Sequence, residues 1–157
     1  MNALRIDTTK TRAVIFDMNG TMVTGSYDTF KAVEGLTDFL HLLRSHNVLL
    51  ALATRAYKPE VDTVLSSLGI EGVFDAVATG EEIDFPKPHP QIYQRLLKQL
   101  ELPASQALVF EDTPSGIHAA QAAGISVVGI TTNYPAEILQ KSGVVACLTN
   151  FRPVFVI

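Results

Sequence analysis

Short apolar runs alternate along the chain with stretches in which apolar residues recur at helical spacing. The runs predict strands at 12–17, 48–53, 74–78, 107–110, 127–130 and 144–148. The stretches between them predict helices at 30–46, from near Pro59 to Leu68, and at 92–100, 114–123 and 136–141. Gly35 weakens the middle of the first helix, which favours a later start near Leu36. Strands that alternate with helices in this way indicate an α/β fold with a parallel sheet and right-handed crossovers.

The two ends of the chain and its longer connections carry weaker patterns. Residues 1–11 mix polar and apolar positions and are expected to be a lead-in or a frayed end. Residues 20–29 form a polar connection with turn character, and residues 80–90 form a loop with three prolines close together. The tail at 151–157 is apolar enough to dock either on the core or on a partner, and the pattern does not choose between these.

The composition narrows the class of protein. A chain of 157 residues with 47% hydrophobic and 18% charged residues suits one globular domain spanning 1–157. The net charge of −4 and the scattered basic residues argue against nucleic acid or a membrane as partner. The N-terminus lacks a signal-peptide pattern, and the single cysteine, Cys147, fits a reducing compartment. These features predict a soluble cytoplasmic protein.

Polar side chains follow the apolar runs at the points where the predicted strands end. Asp17 follows the first strand and Thr54 the second, while Glu111 and Asp112 follow the fourth. Lys87 lies in the proline-rich loop. Because ligands bind at the carboxyl ends of parallel strands, we expect these groups to meet in one crevice. Clustered carboxylates require a hard cation such as Mg²⁺, which leaves the hydroxyl and the ammonium to bind an anion, as phosphoryl transfer requires.

Each of these residues also has a purely structural interpretation. Asp17 could be a turn aspartate, and Asp112 could cap the helix that begins near Pro114. Thr54 could simply end a strand, and Lys87 could be a solvated surface lysine. Arg55 could either lie on the surface or contact a substrate.

Four motifs give the chain its resemblance to a known family. They are FDMNGT at 16–21, LATR at 52–55, FPKPHP at 85–90 and FEDTPSGIHAA at 110–120. In this order they resemble the haloacid dehalogenase superfamily of phosphotransferases, nearest its β-phosphoglucomutase-like branch. The resemblance implies a three-layer, Rossmann-like α/β core with helices on both faces of the sheet.

The resemblance also implies roles for the residues at the strand ends. Asp17 would be the nucleophile that forms an aspartyl-phosphate. Mg²⁺ would be held by Asp17, by the backbone carbonyl of Asn19 and by Asp112, with Glu111 close by. This implies a phosphomonoester hydrolase that acts on a small phosphorylated metabolite such as a sugar phosphate.

The phosphate would be bound by a second group of residues in the same motifs. Thr54 and Lys87 would bind and neutralise the phosphoryl oxygens, and Arg55 would add a further contact. Backbone N–H groups near residues 18–20 and 55 could complete this cradle.

Asn19 departs from the family pattern, which places a second aspartate at this position. In the family that aspartate is the general acid and then the general base, and an amide can be neither at neutral pH. Because the metal contact at this position uses the backbone, Asn19 should leave Mg²⁺ binding intact while it impairs turnover. Asn19 would fit an engineered substitution, a natural impaired enzyme or phosphate-binding protein, or an enzyme that uses another acid.

The second departure is the absence of a cap domain. Relatives of this branch usually insert a helical cap domain between the first strand and the first helix, whereas here only residues 22–34 fill that place. The second common insertion point, after the third strand, is equally short, and a truncated sequence or a natural loss of the cap would give the same pattern. The predicted site is therefore open, so that residues 22–30 and Arg55 supply specificity, or a second subunit of a homo-oligomer covers it. The alternative function is a non-catalytic phosphate- or phosphoprotein-binding module. A nucleotide-binding Rossmann protein is disfavoured because no Gly-x-Gly-x-x-Gly follows the first strand.

Overall fold

A computed structural model describes residues 3–26 and 29–157 of the chain. The described residues form ten strands: β1 Leu4–Ile6, β2 Ala13–Phe16, β3 Val23–Thr24, β4 Lys31–Ala32, β5 Leu49–Ala53, β6 Ala76–Ala78, β7 Ala107–Glu111, β8 Ser126–Ile130, β9 Ala146–Leu148 and β10 Val154–Val156. They also form five α-helices: α1 Leu36–Ser45, α2 Lys58–Leu68, α3 Gln91–Leu100, α4 Pro114–Ala122 and α5 Ala136–Lys141. Within these ranges no helix combines the length and the apolar character that crossing a membrane would require.

Six parallel strands form the central sheet, in the order β6-β5-β2-β7-β8-β9. The register sets Phe16 of β2 opposite Leu52 of β5 and Phe110 of β7. The central strands therefore end at one level, and the polar residues that follow them project from the same edge of the sheet. The prediction of an α/β fold with a parallel sheet is confirmed.

Helices cover both faces of the sheet, because successive residues of the buried strands point to opposite sides. Val14 and Phe16 face the layer that contains α1 and α2. Ile15 and Val109 face the opposite layer, which contains α3, α4 and α5. The fold is thus the three-layer arrangement that the sequence predicted.

The apolar tail docks on the core of the same chain. Phe151 packs among three phenylalanines that lie at the centre of the α1 layer, with ring centroids 5.4 Å from Phe39, 5.4 Å from Phe110 and 5.9 Å from Phe16. Aromatic contacts at this separation add to the burial of the rings. Of the two possibilities left open for the tail, the structure shows the first.

The N-terminal segment pairs with the tail. β1 runs parallel to β10, with Leu4 opposite Val154 and Ile6 opposite Val156. The prediction that residues 1–11 are a lead-in or a frayed end is therefore wrong for the strand at 4–6, while Met1 and Asn2 lie outside the described residues. A three-residue strand whose partner is at the far end of the chain leaves no periodic signal in its own neighbourhood.

The connection between β2 and α1 also differs from the prediction. β3 and β4 form a short antiparallel hairpin, in which Val23 pairs with Ala32. The first helix begins at Leu36, directly after Gly35, so the predicted start at residue 30 is wrong and the later start is confirmed. Tyr27 and Asp28, which belong to the connection predicted at 20–29, lie outside the described residues.

Candidate active site

A cavity of about 490 Å³ opens at the carboxyl edge of the sheet. It is lined by Asp17, Asn19, Thr54, Arg55, Ala56, Lys87, Glu111, Asp112, Thr113, Pro114, Ser115 and Tyr134. The structure thus brings together every residue that the sequence singled out as a site residue. The strand ends of β2, β5 and β7 supply most of them, because parallel strands present their carboxyl ends at one edge.

Lys87 is a buried residue in the lining of this cavity. Its Nζ donates to Asp17 Oδ1 at 2.9 Å, to Glu111 Oε2 at 2.6 Å and to the carbonyl of Ala53 at 3.1 Å. Burial by itself lowers the pKa of Lys87, but the Asp17 and Glu111 carboxylates outweigh it and raise that pKa above its ordinary value. Lys87 is therefore an ammonium held in one place, and not a solvated surface lysine.

Glu111 serves as the anchor of this ammonium. Its Oε2 accepts from Lys87 Nζ and from the hydroxyl of Tyr93, which reaches the site from α3. Burial, and after it the neighbouring Asp17 carboxylate, raise the pKa of Glu111, whereas the Lys87 ammonium lowers it. Because two donors converge on the same oxygen, we place a negative charge on Glu111.

Asp17 and Asp112 share a single hydroxyl donor. Thr21 Oγ1 lies 3.2 Å from Asp17 Oδ2 and 3.1 Å from Asp112 Oδ1, yet a hydroxyl carries only one proton. Asn133 Nδ2 donates to the other oxygen of Asp112 at 2.7 Å. Burial and then the adjacent Asp17 carboxyl raise the pKa of Asp112 to about 7. The pair thus carries more negative charge than the described side chains neutralise.

The backbone at Gly20 makes room for this carboxylate. Gly20 has a φ of +85°, and a Cβ at this position would lie 2.1 Å from Asp112 Oδ2. A side chain here would therefore displace Asp112. The glycine thus allows the turn after β2 to lie directly against the carboxylate of Asp112, which follows β7.

The donor set fits a hard divalent cation. One oxygen from each of Asp17, Glu111 and Asp112 lies within 4.8 Å of the other two. Each of the three carboxylates lies within hydrogen-bond distance of two donors, and each keeps lone pairs that a cation could use. Carboxylate oxygens of this kind, completed by water and phosphate oxygens, are what Mg²⁺ prefers.

Thr54 and Arg55, which directly follow β5, line the same cavity. Thr54 is buried, and its Oγ1 accepts from the backbone N–H of Ala56 at 3.0 Å. Arg55 is exposed, and its Nη2 donates to the carbonyl of Lys87 at 3.1 Å and to Ser115 Oγ at 2.8 Å. Arg55 therefore joins the Lys87 loop to the start of α4, which the sequence did not predict.

Asn19 is exposed on the cavity wall in a tight turn. The backbone N–H groups of Thr21, Met22 and Val23 all donate to the carbonyl of Met18, and the N–H of Gly20 donates to Val23. These hydrogen bonds use the backbone groups next to Asn19. Among the described residues, no backbone N–H donates to the carbonyl of Asn19 itself.

The structural interpretation of Asp112 as a helix cap is wrong. The residue that caps α4 is Thr113, whose hydroxyl accepts from the N–H of Gly116 at 3.1 Å. Asp112 is thus free to point into the cavity, where its carboxylate lies beside that of Asp17.

Sequence reasoning missed three residues of the site. Tyr93 lies in the helix predicted at 92–100, where its ring packs in the core while its hydroxyl donates to Glu111. Thr21 and Asn133 lie in polar loops, where no periodic pattern marks one residue above its neighbours. Thr21 is the better signalled of the two, since it ends the first motif two residues after Asn19.

Comparison with known families identifies one match. Residues 18–130 match the model of a family described as haloacid dehalogenase-like hydrolase. The match covers more than half of the 157-residue chain and includes the last three of the four motifs in full.

Two curated relatives are named as phosphatases. The validoxylamine A 7′-phosphate phosphatase of Streptomyces hygroscopicus subsp. limoneus is 37% identical over 112 residues, which is 71% of this chain and 53% of the relative. The phosphorylated carbohydrates phosphatase of Thermotoga maritima is 32% identical over 121 residues, covering 76% of this chain and 56% of the relative. The chain thus spans about half the length of these relatives.

A solved structure shows the same fold. CbbY from Rhodobacter sphaeroides, in complex with phosphate, superposes with a TM-score of 0.78 at 18% identity. The superposition covers 90% of this chain and 95% of that one. At this identity the likeness supports the architecture of the core.

Proposed function

The chain belongs to the haloacid dehalogenase-like hydrolase family, and from this premise we propose that it hydrolyses phosphomonoesters with Mg²⁺ through an aspartyl-phosphate on Asp17. One observation carries the proposal: the buried Lys87 ammonium lies 2.9 Å from Asp17 inside a cluster of three carboxylates. A small phosphorylated metabolite such as a sugar phosphate is the proposed substrate, because two relatives are named for phosphorylated compounds of that kind.

Asp17 is the proposed nucleophile. In the proposed first step a new bond forms between a carboxylate oxygen of Asp17 and phosphorus, while the bond from phosphorus to the substrate's alcohol oxygen breaks. Lys87, whose Nζ donates to Asp17, and Thr54 line the same cavity and would bind the phosphoryl oxygens. Donors fixed in advance stabilise the developing charge without reorganisation.

Mg²⁺ would be held by Asp17, Asp112 and the carbonyl of Asn19, with Glu111 beside them. When bound, it would neutralise phosphoryl charge and orient the phosphate. The shared Thr21 hydroxyl supports this assignment, because one proton cannot satisfy both Asp17 and Asp112. Glu111 contributes mainly by holding Lys87, since its Oε2 already accepts from Lys87 and Tyr93.

Asn19 limits the reaction at two points. The departing alkoxide needs a proton, and the water that hydrolyses the aspartyl-phosphate must lose one. A side-chain amide supplies neither function, and general acid–base catalysis is typically worth about 10²–10⁴-fold. We therefore propose that turnover is impaired and that phosphorylated Asp17 persists longer than in an enzyme with an acid at this position.

The proposed core has no cap domain between β2 and α1. In the part of this connection that the structure describes, residues 17–26 and 29–35, the only regular structure is the β3–β4 hairpin. A site without a cap is open to large substrates, and a second copy of the chain in a homo-oligomer is an alternative cover. Either arrangement would exclude less water than a closed lid.

A second candidate function is a non-catalytic module that binds phosphate or a phosphoprotein. Asn19 is the observation that favours it, because the amide removes the acid while the charged groups of the site remain. This module would bind a phosphorylated ligand through Lys87, Thr54 and the cation without releasing phosphate.

Hydrolysis of p-nitrophenyl phosphate with Mg²⁺ tests the two functions. We expect Asn19→Asp to raise kcat by about 10²–10⁴-fold over the parent chain, since it restores the acid. Asp17→Asn in the Asn19→Asp background is the control and should abolish that gain. An Asn19→Asp variant that binds inorganic phosphate but stays inert would overturn the enzyme in favour of the binding module.

A further inference from the structure

Asn133 lies outside the four motifs, in the loop at 131–134 that follows β8. Its Nδ2 donates to Asp112 Oδ2 at 2.7 Å. Because an ionised carboxylate only accepts hydrogen bonds, the NH₂ group of the amide is the end that faces Asp112. The proposed reaction assigns no step to this side chain, so any effect of Asn133 on the site would act through Asp112.

The loop that carries Asn133 is held against two other parts of the fold. The N–H of Thr131 donates to the carbonyl of Leu148, at the end of β9, at 2.9 Å. The hydroxyl of Thr132 donates to the carbonyl of Gly20, in the turn after β2. The Asn133 amide itself lies against Gly20, where a Cβ would come within 2.5 Å of Nδ2. The amide therefore approaches its acceptor from a backbone that two neighbouring elements keep in place.

Asn133 gives Asp112 a donor that Asp17 does not share. The Thr21 hydroxyl lies within hydrogen-bond distance of both carboxylates but carries one proton, so it cannot orient both of them. Among the described residues, the Asn133 amide donates to Asp112 alone. Rotation of the Asp112 carboxylate would break the hydrogen bond to Oδ2, so the amide holds the other oxygen, Oδ1, beside Thr21.

We propose that Asn133 is a positioning residue, which holds the Asp112 carboxylate in the orientation that binds Mg²⁺. This inference rests on the proposed function, in which Asp112 is a ligand of the cation. A carboxylate that is already oriented loses less rotational freedom when the ion binds, and this favours binding. Hydrogen-bond partners of metal ligands typically contribute about 10–100-fold to metal affinity.

Titration with Mn²⁺ alone, followed by the electron paramagnetic resonance signal of the free ion, tests the inference without turnover. Mn²⁺ favours the same oxygen ligands as Mg²⁺. Asn133→Leu keeps the branching of the side chain but has no donor, and we expect it to weaken Mn²⁺ binding about tenfold. Asn133→Ala should weaken binding by a similar factor, because it lacks the same donor.

Thr131→Val is the matched control in the same loop. It removes a hydroxyl that lies 3.4 Å from the carbonyl of Leu148 and does not line the cavity, so it should bind Mn²⁺ as the parent chain does. Urea denaturation in EDTA shows whether each variant folds. The two variants at position 133 differ in volume, and if one of them does not fold, the other decides the test.

The outcomes separate this inference from the function on which it rests. Parent affinity for Mn²⁺ in a folded Asn133→Leu or Asn133→Ala would overturn the inference and leave the proposed function standing. An equal loss in Thr131→Val would also overturn it, because the effect would then belong to the loop as a whole. If the parent chain does not bind Mn²⁺, the proposed cation site fails and the inference fails with it.

Discussion

The floor and the rim of the candidate active site differ in the burial of their side chains. Lys87, Tyr93 and Glu111 form the floor, in which every member is buried and hydrogen-bonded to another. Asn19 and Arg55 belong to the rim, where both side chains are exposed. The hydrogen bonds of the floor fix the charged groups in place before a ligand binds. The exposed side chains of the rim would contact the reacting part of the ligand.

This difference shows where the chain can change at little risk to its fold. Removing Lys87 would take its cation from the buried Glu111 carboxylate, and removing the Tyr93 hydroxyl would take a donor from it, so the floor constrains stability. A change on the rim alters an exposed side chain, which usually shifts stability by less than about 0.5 kcal/mol. Asn19 lies on the rim, so a substitution at this position should leave the fold intact.

Removing the ammonium from the floor should have the largest effect on stability. We expect Lys87→Met to lower the free energy of unfolding by about 3–5 kcal/mol, because Glu111 is left as an uncompensated buried charge. Urea denaturation measures this. The matched control is Lys58→Met, which breaks a pair with Asp62 whose side chains are 71% and 60% exposed and should change the free energy by less than about 0.5 kcal/mol. Equal losses in the two variants would contradict the distinction.

Mg²⁺ binding at Asp112 should have the next largest effect on stability. At an Mg²⁺ concentration one hundred times its Kd, we expect the parent chain to gain about 2.7 kcal/mol of stability over a sample in EDTA. Asp112→Asn should lose most of this gain, since Asp112 is a proposed ligand of the ion and its carboxylate lies beside that of Asp17. The control is Asp38→Asn, which removes an exposed carboxylate from α1 and should retain the gain. A thermal shift with Mg²⁺ that persists in Asp112→Asn would place the ion elsewhere.

Two tyrosines allow the loss of a buried hydroxyl group to be compared with the loss of an exposed one. Tyr93→Phe should lower the free energy of unfolding by about 2 kcal/mol, because Glu111 loses a donor in a buried network. Tyr134→Phe should have almost no effect, since Tyr134 is 40% exposed and no hydrogen bond of its hydroxyl is found among the described residues. Denaturation curves of the two variants that superpose would show that the buried hydroxyl contributes nothing.

The smallest expected effect concerns the Asn19–Gly20 peptide. Deamidation requires the backbone nitrogen of Gly20 to attack the Asn19 side chain, yet this N–H donates to the carbonyl of Val23 at 2.7 Å. We therefore expect the folded protein to keep Asn19 intact during prolonged incubation at neutral pH. Mass spectrometry of the active-site peptide measures this, with the urea-unfolded chain as control. Deamidation as fast in the folded as in the unfolded chain would show that the turn gives no protection.

The central part of the fold and of the site could be predicted because its signals are local. The apolar run before Asp17 and the run before Glu111 each mark a buried strand that ends in a carboxylate. Once the strands are parallel, geometry alone brings these carboxylates to one edge. The later start of α1 at Leu36 was also predictable from one residue, Gly35.

The remaining features depend on contacts that no local pattern contains. The hydroxyl of Tyr93 reaches Glu111 only because α3 packs beside β5 and β6, so the residue shows in the sequence merely as an apolar position. Asn133 meets Asp112 from the loop after β8, which depends on the order of strands in the sheet. The pairing of β1 with β10 joins residues that lie at opposite ends of the chain.

The pairing of β1 with β10 determines when β1 can join the fold during synthesis. β2 and β5 lie in the first half of the chain, so they can meet while the ribosome is still translating the second half. β1, although it leaves the ribosome earlier, has no partner until residues 154–156 are made. With Phe151 in the aromatic cluster, the same late segment completes the packing around Phe16. β1 is therefore synthesised before β2 but can pair only after β10 has been made.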